Sequence, residues 1–168
     1  MDDAAFDAVV ANSTEEYACS PSVPENAIGL FLAAPIRLVL PADRRTTPRL
    51  VVCLSIGFSI LQHRRTFGAG RGNPVNAAAF ILTVPVAGLA TGGPMIDGKE
   101  RIDDDEPNQA DPSDQLSDEE AAAHTFVDHA NPDLGYLLHG LTTPGTCFVH
   151  AVLGPLISNT VGIALVRA

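Results

Sequence analysis

Four long apolar stretches alternate with polar connections along the 168 residues of this chain. They cover residues 27–42, 50–61, 76–96 and 146–166. The last two are long enough for the ~20 residues that a membrane-spanning helix requires, whereas the second is too short to cross and is expected at the membrane interface. The pattern predicts an α-helical small membrane protein with about three kinked spans and an acidic extramembrane insert. The spans are placed near residues 25–42, 76–96 and 145–166.

A proline lies near the middle of each of the three longer stretches, at Pro35, Pro85 and Pro155. Membrane helices tolerate proline because neighbouring groups satisfy the carbonyl that it frees. In a central β-strand, proline removes a hydrogen bond of the ladder. The three prolines therefore favour kinked helices over strands.

Charge is sorted along the chain into four regions. Residues 1–24 form an acidic N-terminal segment, 25–96 an apolar region with an Arg-rich connection, 97–133 an acidic insert, and 134–168 an apolar C-terminal region. The insert holds 13 of the 20 acidic residues, and no Asp or Glu occurs from 44 to 96. Such a separation indicates a solvated insert between membrane-embedded segments.

Arginine placement predicts the orientation of the spans. Arginines of the connection and Arg167 fall on one side of the three spans, and only Lys99 and Arg101 fall on the other. Because basic residues stay on the cytoplasmic side, the connection is expected to face the cytoplasm. Arg37 lies inside the first span, where a charged side chain must face a partner, a polar cavity or the interface. It is the predicted intramembrane polar residue.

One helix is predicted over residues 118–130, opened by a capping box of Ser117 and Glu120. On this helix His124 and Asp128 are four residues apart and share a face, an arrangement that suits general acid–base catalysis. His124, His129 and His150 are the candidate metal ligands, although their spacing matches no metal motif. The alternative for all of these residues is a solvated surface.

A soluble alternative remains open, in which prolines and glycines divide the stretches into short strands of a single-domain α/β or α+β fold. The strands would be IRLVL, RLVVCLSIGFSIL, AAFILTV, CFVHAVL and VGIALVRA. The protein would then be a cytoplasmic acidic enzyme or binding domain that uses His124 and Asp128. In the membrane interpretation it is an accessory or structural subunit, whose partners are the lipid bilayer and other subunits.

Composition limits the function further. The net charge of −10 excludes nucleic acid as a partner, because phosphate backbones are bound by clustered basic residues. An acidic surface with arginine as almost the only basic residue type suits a salt-adapted organism. The three cysteines, Cys19, Cys53 and Cys147, form no metal motif and are predicted to be buried apolar residues. No cleaved signal is expected behind the acidic N-terminus. The residues indicate no cofactor or substrate and do not favour an enzyme.

Overall fold

The described part of the chain, residues 3–67, 74–94 and 115–167, folds mainly into β-strands in the computed structural model. The strands are β1 (Gly29–Ala33), β2 (Arg37–Leu40), β3 (Cys53–Ser59), β4 (Ala79–Val84), β5 (Leu89–Pro94), β6 (Thr125–Ala130), β7 (Gly145–Leu153), β8 (Leu156–Ile157) and β9 (Val161–Arg167). The helices are α1 (Ala4–Asp7), α2 (Ile60–Phe67), α3 (Pro74–Ala77) and α4 (Asp118–Ala123), and 3₁₀ turns cover Pro85–Ala87 and Gly135–Leu138.

The strands form two sheets. The smaller sheet is antiparallel, in the order β1-β3-β6. The larger sheet has the order β2-β9-β7-β4-β5, with β8 added beside β7. Its pairs are antiparallel except for β2 and β9, which run parallel.

The hydrophobic core lies between the inner faces of the two sheets. It joins alternate residues of both, among them Leu54, Ile56 and Phe58 of β3 and Phe80 and Leu82 of β4, all at most 1% exposed. Asn159 links the sheets at one edge: its side chain accepts a hydrogen bond from the Leu32 N–H and donates one to the Leu32 carbonyl, each 2.8 Å long. Such an amide suits the edge of a protein core, where it satisfies the backbone of an edge strand.

The predicted membrane helices are absent from this fold. Among residues 3–67, 74–94 and 115–167, no helix is long and apolar enough to cross a membrane. Instead, each apolar stretch contributes strands: the first contains β1 and β2, the second β3, the third β4 and β5, and the fourth β7, β8 and β9. The three-span α-helical interpretation is therefore wrong, and the longest described helix, α2, has eight residues.

The three prolines lie between strands rather than within them. Pro35 precedes β2, Pro85 opens the 3₁₀ turn between β4 and β5, and Pro155 lies in the turn between β7 and β8. Gly154, with φ +55°, supplies the left-handed residue of that two-residue turn. These three prolines divide the apolar stretches into separate strands and do not bend a helix.

The helix expected over 118–130 is shorter in the structure. It begins at Asp118 with the predicted capping box, in which Ser117 and Glu120 exchange side-chain and backbone hydrogen bonds. It ends at Ala123, and the following residues form β6 because they pair with β3 in continuous register. Tertiary pairing overrides the local helix preference of this segment.

The N-terminal segment, residues 3–20, packs over the beginning of β3 on the outer side of the smaller sheet. Phe6, Val9 and Cys19 pack there against Val51 and Cys53 in a second apolar cluster. A disulfide joins Cys19 to Cys53, the first residue of β3, so two of the three cysteines are buried as expected but are not free thiols. Farther along the outer side of β3, Gly57 lies against Val23 and Ala27, and every residue of this central strand is buried.

Candidate functional site

His124 and Asp128 do not form the helical pair that was predicted. His124 caps the C-terminal end of α4 with an extended backbone, whereas Asp128 lies within β6. Four residues of extended chain span about 13 Å, against about 6 Å on a helix. His124 is instead an electrostatic neighbour of Glu120, whose pKa is lowered mainly by the hydrogen bond from the Ser117 hydroxyl and less by His124.

Asp128 faces the inner side of the smaller sheet, where it pairs in register with Ile56 of β3. Phe126 lies on the same side of β6, and its ring meets the His63 ring edge-on with centroids 5.8 Å apart. Burial raises the pKa of Asp128, while the nearby His63 and His129 act in the opposite direction. A half-buried carboxyl beside imidazoles is an arrangement that acid–base sites use.

His129 points to the opposite side of β6. Its Nδ1 lies 3.1 Å from the Ser55 hydroxyl oxygen, within hydrogen-bonding distance. Ser55 is fully buried, so a substrate cannot reach this hydroxyl. The pair satisfies two polar groups on the covered face and does not form a nucleophilic site.

The three candidate metal ligands lie on different parts of the fold: His124 at the end of α4, His129 on the outer face of the smaller sheet, and His150 on the outer face of the larger one. Within the described ranges, no group of three His, Cys, Asp or Glu side chains is arranged to hold a metal ion. Cys147 is buried in the core, and burial raises the pKa of its thiol to about 11, so it stays protonated at neutral pH.

Arg37, predicted as an intramembrane residue, is the exposed first residue of β2. It lines a cavity of about 290 Å³ together with Asp3, Asp7 and Arg49. Arg37 therefore lies on a strand and not in the membrane-spanning helix that the sequence predicts.

Replacing Asp128 by asparagine is expected to stabilise the fold at neutral pH. Because folding raises the pKa of Asp128 above 3.8, the folded chain keeps the carboxyl proton at pH values where the unfolded chain has released it. The free energy of unfolding therefore falls as the pH rises from the pKa of the unfolded chain through that of the folded chain. The asparagine variant has no carboxyl to ionise, so its free energy of unfolding should exceed that of the wild type at neutral pH. The difference should vanish at low pH, where the wild-type carboxyl is protonated in both the folded and the unfolded chain. Urea unfolding across this pH range measures the difference.

The matched control is Asp7→Asn, which removes one negative charge from an exposed position on α1. It should not reproduce the pH-dependent gain. An Asp128→Asn variant that is less stable than the wild type at neutral pH would show that the charged carboxylate is needed for the fold.

The outer face of the larger sheet is apolar and, among the described residues, lies bare. Register and alternation place the following side chains on it, here called the bare face: Arg37, Val39, Ala79, Ile81, Thr83, Ala90, Thr146, Phe148, His150, Val152, Ile157, Ala164 and Val166. Val39 is 47% exposed, Ile81 37%, Phe148 38% and Ile157 67%. Among these side chains the ionisable ones are Arg37, at the edge, and His150, and the carboxyl residues Asp3 and Asp7 adjoin that edge, where they line a cavity with Arg37 and Val39.

In the sequence, the residues of the bare face belong to apolar stretches without Asp or Glu, a pattern that the membrane interpretation assigns to contact with lipid. No residue-level signal pointed to His63, which lies 65 positions before Asp128 and meets it only through the fold. No family model, curated protein or solved structure matches this chain.

Proposed function

We propose that the protein is a structural subunit that assembles by docking its bare face onto the bare face of a second copy. The observation that carries this proposal is the difference between the two sheets. Both sides of β3, the central strand of the smaller sheet, are buried, whereas the larger sheet exposes Val39, Phe148 and Ile157. Contiguous apolar surface of this kind usually marks an interaction site.

The size of the bare face suits a reversible contact. Five strands at a spacing of about 4.8 Å, each contributing about five residues of 3.3 Å, give a footprint of roughly 400 Å². A standard interface buries about 800 Å² of solvent-accessible surface on each partner, an area that follows the contours of the side chains and therefore exceeds the flat footprint. The expected dimer is therefore concentration-dependent rather than permanent.

Charge favours a second copy as the occupant. Each chain carries a net charge of −10, so two copies repel each other overall, and this repulsion is smallest where they meet through a surface poor in carboxylates. The strands of the larger sheet contain no Asp or Glu in any position. Two such sheets pack face to face at about 10 Å with interdigitated side chains.

Self-association is expected to strengthen with salt, which screens the repulsion between the two acidic chains while leaving the apolar contact intact. Sedimentation velocity over a range of protein concentrations, at about 0.01 M and about 1 M sodium chloride, measures this effect, because the Debye length falls from about 30 Å to about 3 Å. A chain that stays monomeric at every concentration and salt level would overturn the proposal.

Lipid is the competing occupant of the bare face. Flotation with neutral phosphatidylcholine vesicles separates the two, because a face that docks on a second copy leaves the protein unbound at the bottom of the gradient. Vesicle binding by a chain that does not self-associate would assign the face to a membrane surface instead.

A second candidate is a binding or acid–base site around Asp128, favoured by the raised pKa of this carboxyl beside His63 and His129. A functional role for Asp128 remains a prediction. Its neighbouring imidazole would be that of His63 and not, as the sequence predicts, that of His124. Cytoplasmic location likewise remains a prediction, and the Cys19–Cys53 disulfide is more typical of oxidising compartments.

A further inference from the structure

A pocket of about 390 Å³ opens at one end of the sandwich, where the parallel strands β2 and β9 both end. Its lining consists of Leu40, Pro41, Ala42, Arg44, Thr142 and Arg167. Leu40 and Arg167 are register partners, so their side chains lie on the same side of the larger sheet. Because Leu40 is buried in the core, this is the inner side, and the pocket is separate from the bare face.

Among the described residues, the lining of the pocket includes two arginines and one threonine but no Asp or Glu. Within the described ranges, neither Arg44 nor Arg167 forms an ion pair; the pair found there joins Arg65 to Asp118. In a chain with twice as many acidic as basic residues, two cations around one concavity indicate a site for an anion.

The acid nearest in sequence, Asp43, is held within its own loop. Its carboxylate accepts hydrogen bonds from the backbone N–H of Arg45 and Thr46, at 2.8 and 2.9 Å, and from the Thr46 hydroxyl at 2.9 Å. These bonds, that of the Thr46 hydroxyl first, lower the pKa of Asp43. The carboxylate therefore fixes the loop that presents Arg44 and does not belong to the pocket lining.

The second wall of the pocket is tied to the first. The Thr47 hydroxyl oxygen lies 2.9 Å from Nδ1 of His139, which connects the loop after β2 to the segment that supplies Thr142. This hydrogen bond links the two loops that line the pocket, and a site whose parts are linked before binding loses less entropy when a ligand binds.

We propose that this pocket binds a phosphate-bearing molecule, with Arg44 and Arg167 as charged donors and the Thr142 hydroxyl as a third donor. Guanidinium groups match phosphate oxygens in pairs of parallel hydrogen bonds. A volume of about 390 Å³ exceeds that of a phosphate group and falls in the range of pockets for small organic ligands. The ligand class is therefore a phosphorylated small molecule rather than inorganic phosphate alone.

Calorimetric titration with pyrophosphate at low ionic strength tests the proposal. Arg44→Gln and Arg167→Gln are each expected to raise the Kd about tenfold or more, because each removes a charged donor. The control is Arg65→Gln, which removes the same charge from an exposed position on α2 and should change the Kd little. Both pocket arginines are exposed, so the variants should fold, and urea unfolding verifies this.

Absence of pyrophosphate binding to the wild-type chain would overturn the proposal. An equal loss of affinity in Arg65→Gln would overturn it too, because it would show that pyrophosphate is attracted by the charge of any arginine and is not bound in the pocket. Vesicles that contain phosphatidic acid distinguish the source of the phosphate. Binding to these vesicles that Arg167→Gln abolishes assigns the pocket to a lipid headgroup. Pyrophosphate binding without vesicle binding assigns it to a free ligand. Either result supports the pocket, independently of self-association through the bare face.

Discussion

Replacing Cys19 and Cys53 together by alanine is expected to lower the free energy of unfolding by about 3–4 kcal/mol. The disulfide closes a loop with a sequence separation of 34, and a cross-link of this length restricts the unfolded chain by about that amount in the loop-entropy model. The bond also anchors the N-terminal segment on the smaller sheet, so the variant should expose the covered face of β3. Urea unfolding of both proteins measures the loss.

Reduction provides the matched control. A reducing agent should lower the stability of the wild-type chain to that of the double alanine variant and leave the variant unchanged. Thiol titration in denaturant without reductant should find one thiol per wild-type chain, Cys147, and none of it reactive in the native protein, where burial raises the pKa of that thiol to about 11. Equal urea midpoints of the wild type with and without reductant would contradict the expectation.

Substituting Ile81 by lysine is expected to weaken self-association at least about 100-fold, because docking would bury an unpaired ammonium group at several kcal/mol. Ile81 lies near the centre of the bare face, paired with His150 and Gly92. Its side chain is 37% exposed, so the lysine can reach water in the monomer and the fold should be retained. Sedimentation velocity at high salt measures the change.

The control for this experiment is Val127→Lys, an equally charged substitution on the outer side of β6, where the valine is 44% exposed. Both variants make the chain one unit less negative, which by itself reduces the repulsion between copies. A general electrostatic effect would therefore strengthen association in both. Loss in Ile81→Lys alone locates the contact on the bare face, and equal behaviour of the two variants would remove the bare face from the interface.

Much of the strand content could be predicted from the sequence, and its layer arrangement could not. The five segments of the soluble alternative each overlap an observed strand, namely β2, β3, β4, β7 and β9. Short apolar runs bounded by proline and glycine resemble buried strands and membrane helices equally well. The membrane interpretation treats each long acid-free run as one helix, because the run continues without a charged residue across the turn at Pro85 or Pro155.

β3 and β7 show why the apolar runs misled. β3 alternates between core residues and outward Ser55, Gly57 and Ser59, yet all of them are buried because the preceding chain covers its outer side, a cover that only the tertiary structure reveals. β7 alternates between core residues and the bare face, whose outward positions carry Thr146, Phe148, His150 and Val152 where a solvated sheet usually carries acids, lysine or arginine. Neither strand therefore carries the Asp, Glu, Lys or Arg that usually marks the outer side of a solvated strand, and the reason differs between the two.

The candidate sites depend on contacts between distant residues. His63 approaches Asp128 because α2 follows β3 directly and β6 pairs with β3. Arg44 and Arg167 approach each other because the second and the last strand run side by side. Neither relation leaves a local pattern in the sequence. The capping box at Ser117 could be predicted because it depends on residues three positions apart.

The parallel pairing of β2 with β9 has a consequence for synthesis of the protein on the ribosome. β9 completes the larger sheet between β2 and β7, yet it follows both of them along the chain and is translated after every other described strand. Until β9 emerges from the exit tunnel, β2 has no neighbour in its sheet, and one edge of β7 is incomplete. Contacts so distant along the chain form slowly and leave strand edges exposed to aggregation. Nascent chains of this protein should therefore depend on chaperones until β9 has left the ribosome.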